Sequence, residues 1–199
     1  MVQLLGVGDK TPREKLLDAA IEYVAAHGLG DVSLRTLAAA LGTSHRMLIF
    51  HFGSKDQLWI EIVHTVEQRQ RERLRELLPD PAQPTREALW AWWKHISDPS
   101  LWSSERLFFE LYAQALQGRA HAADFLDGII EDWVDPVARA SIARGMPEPL
   151  ARAHARLGVA VTRGLLLDLL ASGDTASVDQ AMHAFIDLYE VWIARAADD

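Results

Sequence analysis

Residues 33–58, SLRTLAAALGTSHRMLIFHFGSKDQL, gather the side chains with the most chemical reach. Thr43, Ser44, His45, Arg46, His51 and Lys55 place hydroxyl, imidazole, guanidinium and ammonium groups in one short stretch. These are groups that bind, and no nucleophile with its base stands among them. They suit charge-assisted hydrogen bonds to phosphate oxygens and to base edges, where an arginine can grip guanine through two hydrogen bonds. Elsewhere the chain has no cysteine, so thiol nucleophiles, disulfides and zinc-thiolate sites are excluded. Histidines 64, 95, 121, 154 and 183 fall singly, without the spacing of a metal-binding pair. There is no nucleophile elbow and no dinucleotide fingerprint. Gly6-Val7-Gly8-Asp9-Lys10-Thr11 lacks the residue order and the preceding strand of a phosphate loop. Neither an enzyme nor a resident cofactor or metal is expected.

Helices must position the polar stretch. Thr11-Pro12-Arg13-Glu14 has the signature of a helix start: a threonine cap, proline in the first turn and glutamate three residues after the cap. Leu16, Leu17, Ala20, Ile21 and Val24 follow at helical spacing, and His27-Gly28 ends the run. Ser33 caps a short helix over 34–41, closed by Gly42. Thr43-Ser44 starts another that runs to about Phe52, and Gly53-Ser54 opens a long fourth helix over 55–77. Leu37, Ala38 and Leu41 can pack on Leu48 and Phe52, with small alanines allowing close approach. Two short helices on a tight Gly-Thr-Ser turn form helix-turn-helix geometry, whose second helix enters the major groove N-terminus first.

The stretch resembles the TetR family signature: Leu-Gly-Thr-Ser, then Leu48, His51-Phe52, Ser54-Lys55 and Leu58. The helix before it, with Ala19-Ala20 through Gly28, and Gly164-Leu165-Leu166 with Gly173-Asp174 near the end have the family's look as well. The resemblance implies an all-α homodimer of about nine helices. Residues 1–54 would be a three-helix DNA-binding head, and residues 55–199 a helical ligand-binding and dimerisation domain. It also implies roles. Arg35 would contact a phosphate or base edge, and Thr43 and Ser44 would anchor the turn on the DNA backbone. His45, Arg46 and Met47 would face bases, while His51 and Lys55 would contact phosphate. Ile49 departs from the tyrosine common at its position, and Phe50 also lacks a hydroxyl; apolar contact with a thymine methyl would replace that phosphate contact. The family default is repression by occluding a promoter, from a palindromic operator, with release by a small effector.

Leu78-Pro79-Asp80-Pro81-Ala82-Gln83-Pro84 cannot continue a helix and reads as a linker. Five further helices are expected at 85–97, 103–118, 121–144, 149–172 and 175–196. Residues 67–76 of the fourth helix are so charged that they should be largely solvated. Trp90, Trp93, Phe109, Tyr112 and Trp133 are the candidate lining of a cavity for an apolar or aromatic effector; filling the core is the alternative use of such rings. Trp92 should point away from Trp90 and Trp93. Leu150, His154, Leu157, Val161, Leu165 and Leu169 make one apolar stripe, and Ala181, Phe185, Leu188 and Trp192 another. Paired with their two-fold copies they would form a four-helix dimer interface, although the same stripes can face their own chain's core.

Charge divides along the chain. Residues 1–55 carry six Lys/Arg and five Asp/Glu, whereas residues 56–199 carry fourteen and twenty-three. Only the first part suits the approach to phosphate. No apolar run nears the ~20 residues that span a bilayer, and the start is too short and glycine-rich for a signal peptide. A cytoplasmic protein is expected. The rivals are a small enzyme, which would need one of the absent motifs, and a helical adaptor, which would not need the turn between two short helices.

Overall fold

A computed structural model describes residues 10–27, 32–77, 85–119, 122 and 125–198. Among them there are nine α-helices and no strand. They are α1 (Pro12–His27), α2 (Leu34–Ala40), α3 (His45–Phe52), α4 (Lys55–Leu77), α5 (Thr85–Ile96), α6 (Trp102–Leu116), α7 (Glu131–Ile142), α8 (Glu148–Ser172) and α9 (Thr175–Asp198). A 3-10 turn, Pro99–Leu101, leads into α6. The expected Gly28 cap, the 78–84 linker and His121 lie outside the described residues.

The helix starts in the head are fixed by side chains that satisfy otherwise orphaned backbone donors. At α1 the exchange is reciprocal: the Thr11 amide donates to Glu14 Oε2 at 2.7 Å, and the Glu14 amide donates to Thr11 Oγ1 at 3.2 Å. Ser33 Oγ accepts from the Thr36 amide, Ser44 Oγ from the Met47 amide and Ser54 Oγ from the Gln57 amide. Between α2 and α3 the chain reverses at Gly42, whose φ of +64° lies in the left-handed region that glycine adopts without strain.

Leu37, Ala38, Leu48, Phe52, Leu58 and Ile62 form the centre of the head, each no more than 3% exposed. This core does not stop at the head. Through Val63 and Val66 of α4 it continues to Leu107, Phe108 and Leu111 of α6 and to Phe125 and Ile129. A second core joins Leu74, Trp92, Trp93, Trp133, Leu166, Met182 and Ile186, and a third, smaller one joins α7 to the first turns of α8.

One expected helix is shorter than its pattern suggested. Helicity is expected from 121 to 144, but α7 begins at Glu131; residues 125–126 are 3-10 and 127–130 are tight turns. Gly128 has a φ of +71°, and an added Cβ there would meet Asp132 Oδ1 at 3.0 Å. The Asp127-Gly128 pair is therefore a turn, overriding the apolar spacing around it. A Leu58→Ala substitution should remove about 2–5 kcal/mol of stability by opening a cavity where α3 and α4 join; urea denaturation should show a lower midpoint.

Candidate nucleic-acid interface and buried cavity

On α3 only Leu48 and Phe52 turn inward, at 1% and 3% exposure. His45, Arg46, Met47, Ile49 and Phe50 all face outward, and Phe50, 77% exposed, is the barest large apolar side chain described. Ser44 is exposed at the N-terminus of α3. Its Oγ already accepts one amide, so its hydroxyl proton is available to donate to a phosphate beside the positive end of the helix. Thr43 is half-buried in the turn, and Arg35 is exposed on α2. His51 is half-buried against Phe50, and its buried Nε2 has no hydrogen-bond partner. Lys55 opens α4 with its ammonium 5.8 Å from the centre of the Trp59 ring.

A residue outside this stretch holds α3 from behind. Arg13 donates through Nε to the His51 carbonyl at 3.2 Å, pairs with Glu61, and lies 5.1 Å over the Phe52 ring. It thereby ties α1, the end of α3 and α4 together.

The second feature is a cavity of about 850 Å³, counting its open mouth, bounded by α4 to α9. Its aromatic walls include Trp92 and Trp133, whose ring centres lie 5.5 Å apart, and Phe109, Phe185 and Tyr189. Its charged groups are Glu67, Glu105 and Arg163. Trp133 donates from Nε1 to Glu67 Oε2 at 2.7 Å, and Gln70 donates from Nε2 to Glu105 Oε1 at 2.7 Å. Arg71 stands 3.8 Å from Glu67, outside the lining. Arg163 donates from Nη2 to the Ile129 carbonyl at 2.6 Å and lies 5.0 Å over Phe108, while its Nη1 has no partner. Burial raises the pKa of both acids. Glu105 is pushed up to about 7, chiefly by desolvation, against the Gln70 hydrogen bond and with help from the nearby Glu67. For Glu67, desolvation outweighs the Trp133 hydrogen bond and the attraction of Arg163 and Arg71.

Residues 16–62 match the family described as "Bacterial regulatory proteins, tetR family". The chain is 30% identical over 158 residues to the HTH-type transcriptional regulatory protein RaaS of Mycobacterium tuberculosis, an alignment that covers 73% of this chain and 66% of RaaS. A transcriptional regulator from Rhodococcus sp. RHA1 has the same fold, with a TM-score of 0.72 over 89% of this chain and 95% of its own at 22% identity.

This chain belongs to the TetR family.

As a TetR-family protein it is a DNA-binding transcriptional regulator and not an enzyme. It is also 24% identical over 160 residues to the transcriptional repressor NicS of Pseudomonas putida, across 76% of this chain and 73% of NicS. The multidrug binding protein EbrR, solved in complex with imidazole, shares 25% identity and a TM-score of 0.60 over 90% of this chain and 94% of its own.

The ten head positions singled out in this TetR-family sequence all fall in or beside one turn and helix, apart from Arg35 on α2. The five aromatic positions do not stay together. Phe109 and Trp133 line the main cavity; Tyr112 lies in an adjoining groove with Arg156 and Leu167. Trp90 and Trp93 face away from both. Trp93 is fully buried and donates from Nε1 to Asp179 Oδ1 at 2.7 Å, and Trp90 packs on His183 at 3.8 Å, so both turn toward α9. The cavity face of α5 is instead Leu89, Trp92 and Ile96. Glu67, Gln70 and Leu74 correct a second expectation. They lie in the charged stretch taken for solvated, yet none is more than 7% exposed. Their spacing of three and four was the signal, since it continues the apolar face of α4 through two polar residues. Glu105 carried the same signal, three residues after Trp102 and three and four before Phe108 and Phe109.

The raised pKa of Glu105 has a consequence for stability. Its contribution is full below the ordinary value of 4.5 and is lost as the pH rises through about 7, where the buried acid must ionise. The loss approaches about 3 kcal/mol. In Glu105→Gln, which preserves an acceptor for Gln70, that fall should be absent. Urea unfolding measured from about pH 5 to about pH 8 should show wild-type stability declining relative to the variant.

Proposed function

We propose that this protein is a ligand-responsive repressor. It binds a palindromic operator as a homodimer and is released by a small apolar or aromatic effector in the cavity between α4 and α9. Residues 1–54 act as the DNA-binding domain and residues 55–199 as the effector and dimerisation domain, working in the cytoplasm. One observation carries this reading. Helix α4 contributes Leu58, Trp59 and Ile62 to the core of the head, and Glu67, Gln70 and Leu74 to the wall of the cavity. A molecule that displaces the wall therefore bears on the rod that carries the head. Two heads must match successive major grooves, about 34 Å apart or a multiple of it, so a change in rod angle changes operator affinity. Operator and effector must then weaken one another by the same factor. The name of NicS as a repressor and that of EbrR as a multidrug binding protein support the two halves of this reading.

Within the head, Arg46 reads a base edge and Met47, Ile49 and Phe50 offer apolar contact to thymine methyls. Arg35, Thr43, Ser44, His51 and Lys55 hold the backbone, and His45 faces bases at the start of α3. Arg46→Ala should cost roughly 1–3 kcal/mol and relax the preference at one position in each half-site. Lys55→Ala should weaken all sequences alike and lower the salt slope by about one. Gel shifts on the upstream DNA and on single-base variants of it distinguish the two. An unchanged sequence preference in Arg46→Ala removes that residue from the reading surface.

The dimer is proposed to form through α8 and α9. Leu150, Leu157, Leu167, Leu188 and Val191 are 40–52% exposed there, large apolar side chains only partly covered by the described residues. Leu157→Glu with Leu188→Glu should leave the fold intact, because both side chains are exposed, and should give a monomer by light scattering. A double variant that stays dimeric places the interface elsewhere.

A further inference from the structure

We infer that the effector is a lipophilic organic cation, an apolar or aromatic body carrying one protonated amine or quaternary nitrogen held by Glu67 and Glu105. This rests on the reading that the cavity is the effector site. The charged groups of the lining are two carboxylates and one guanidinium. Both carboxylates are buried far beyond what solvent can support, at 7% and 4% exposure. Within hydrogen-bond distance, each receives one neutral donor, Trp133 Nε1 on Glu67 and Gln70 Nε2 on Glu105. Among the described residues Glu105 has no ion-pair partner, and the hydrogen bond it accepts comes from the neutral Gln70 amide. A buried carboxylate without a counter-ion is costly, and a bound cation removes that cost. Trp92 and Trp133 line the same space, and indole rings attract positive charge.

Arg163 is the feature that points the other way, since its Nη1 is unpartnered. Its charge is already engaged, with Nη2 on the Ile129 carbonyl and the guanidinium over Phe108 and Tyr112. An anionic ligand on Nη1 would place its negative charge beside two buried acids. Glu67 also has Arg71 at 3.8 Å, so the acid left without an ion-pair partner is Glu105, and that is where a cation finds room.

The groups facing Glu105 are Glu67 and Gln70 from α4 and Arg163 from α8, with Arg71 and Asp132 reaching Glu67 and Arg71 from behind. Because Glu105 titrates at about 7, cation binding should draw a proton from it. Affinity for a permanent or fully protonated cation should then fall about tenfold from about pH 8 to about pH 6.

The test is a matched series on one apolar skeleton: para-butylbenzylammonium, para-butylbenzyl alcohol and para-butylbenzoate. Each is titrated into the full chain by calorimetry at about pH 8 and about pH 6. The ammonium should bind at least about tenfold more tightly than the alcohol at the higher pH, the benzoate most weakly, and the ammonium should release protons to buffer. In Glu105→Gln the ammonium-to-alcohol ratio should fall to within about threefold. Should that variant melt abnormally, Glu67→Gln carries the same comparison. A benzoate that binds tightest, or a ratio unchanged in both variants, overturns the inference. If all three bind alike and weaken operator binding, the cavity remains the effector site and only the cation preference is wrong. If none of the three binds, the cavity reading itself fails and this inference falls with it.

Discussion

Helix α4 is buried at two places in two different environments, and both placements are enforced by one unbroken set of backbone hydrogen bonds. Its 23 residues make a rod about 34 Å long. Near its start Leu58, Trp59 and Ile62 are locked into the head. Further along, Glu67, Gln70 and Leu74 form part of a cavity wall whose other sides come from α5 to α9. A close-packed interior transmits displacement because it has little free volume to absorb it. The rod therefore cannot shift at the cavity without a response in the head. Helix α1 closes the loop from the other side, since it packs against both α4 and α6.

The acids in the cavity show how a packed interior can hold unfavourable charge for a purpose. Glu67 and Glu105 are kept off solvent, each with a neutral donor and only Glu67 with an arginine beside it, an arrangement in which burial raises their pKa and lowers the stability of the fold at neutral pH. Hydrophobic residues of similar size would pack there at lower cost. Retaining carboxylates in such a place is intelligible when their unmet demand is met by something that enters. Functional sites in general hold such local conflicts while the surrounding core compensates.

The head was legible in the sequence because its signals are local. Caps at Thr11, Ser33, Ser44 and Ser54, and the glycine of the turn at position 42, each fix a few residues of backbone irrespective of the rest of the chain. Helix spacing then separates Leu48 and Phe52 from the outward residues of α3. The cavity was legible only in outline. Three neighbouring tryptophans on α5 announced a large aromatic contribution, but which of them faces the void depends on where α9 lies. That rotation put Trp92 inside and gave Trp93 to Asp179. Glu105 shares the apolar face of α6 by its spacing from Trp102, Phe108 and Phe109, so its burial was legible, whereas its place on the wall of a void depended on how α4 and α8 pack. The turn at Gly128 was masked by the apolar spacing on either side of it.

Arg13 gives the head a property of a different kind. It grips the His51 carbonyl, the Phe52 face and the Glu61 carboxylate, so the tilt of α3 is set by contacts on its inner side and by a residue some forty positions earlier in the chain. None of the outward side chains of α3 takes part in that grip. If the outward residues read the operator as proposed, keeping the pose of the helix and choosing its sequence fall to different residues. Under that proposal, drift at positions 45, 46, 47, 49 and 50 would re-specify the operator while the scaffold that presents it stays the same, which is the condition under which duplicated copies of one regulator can diverge to serve separate genes.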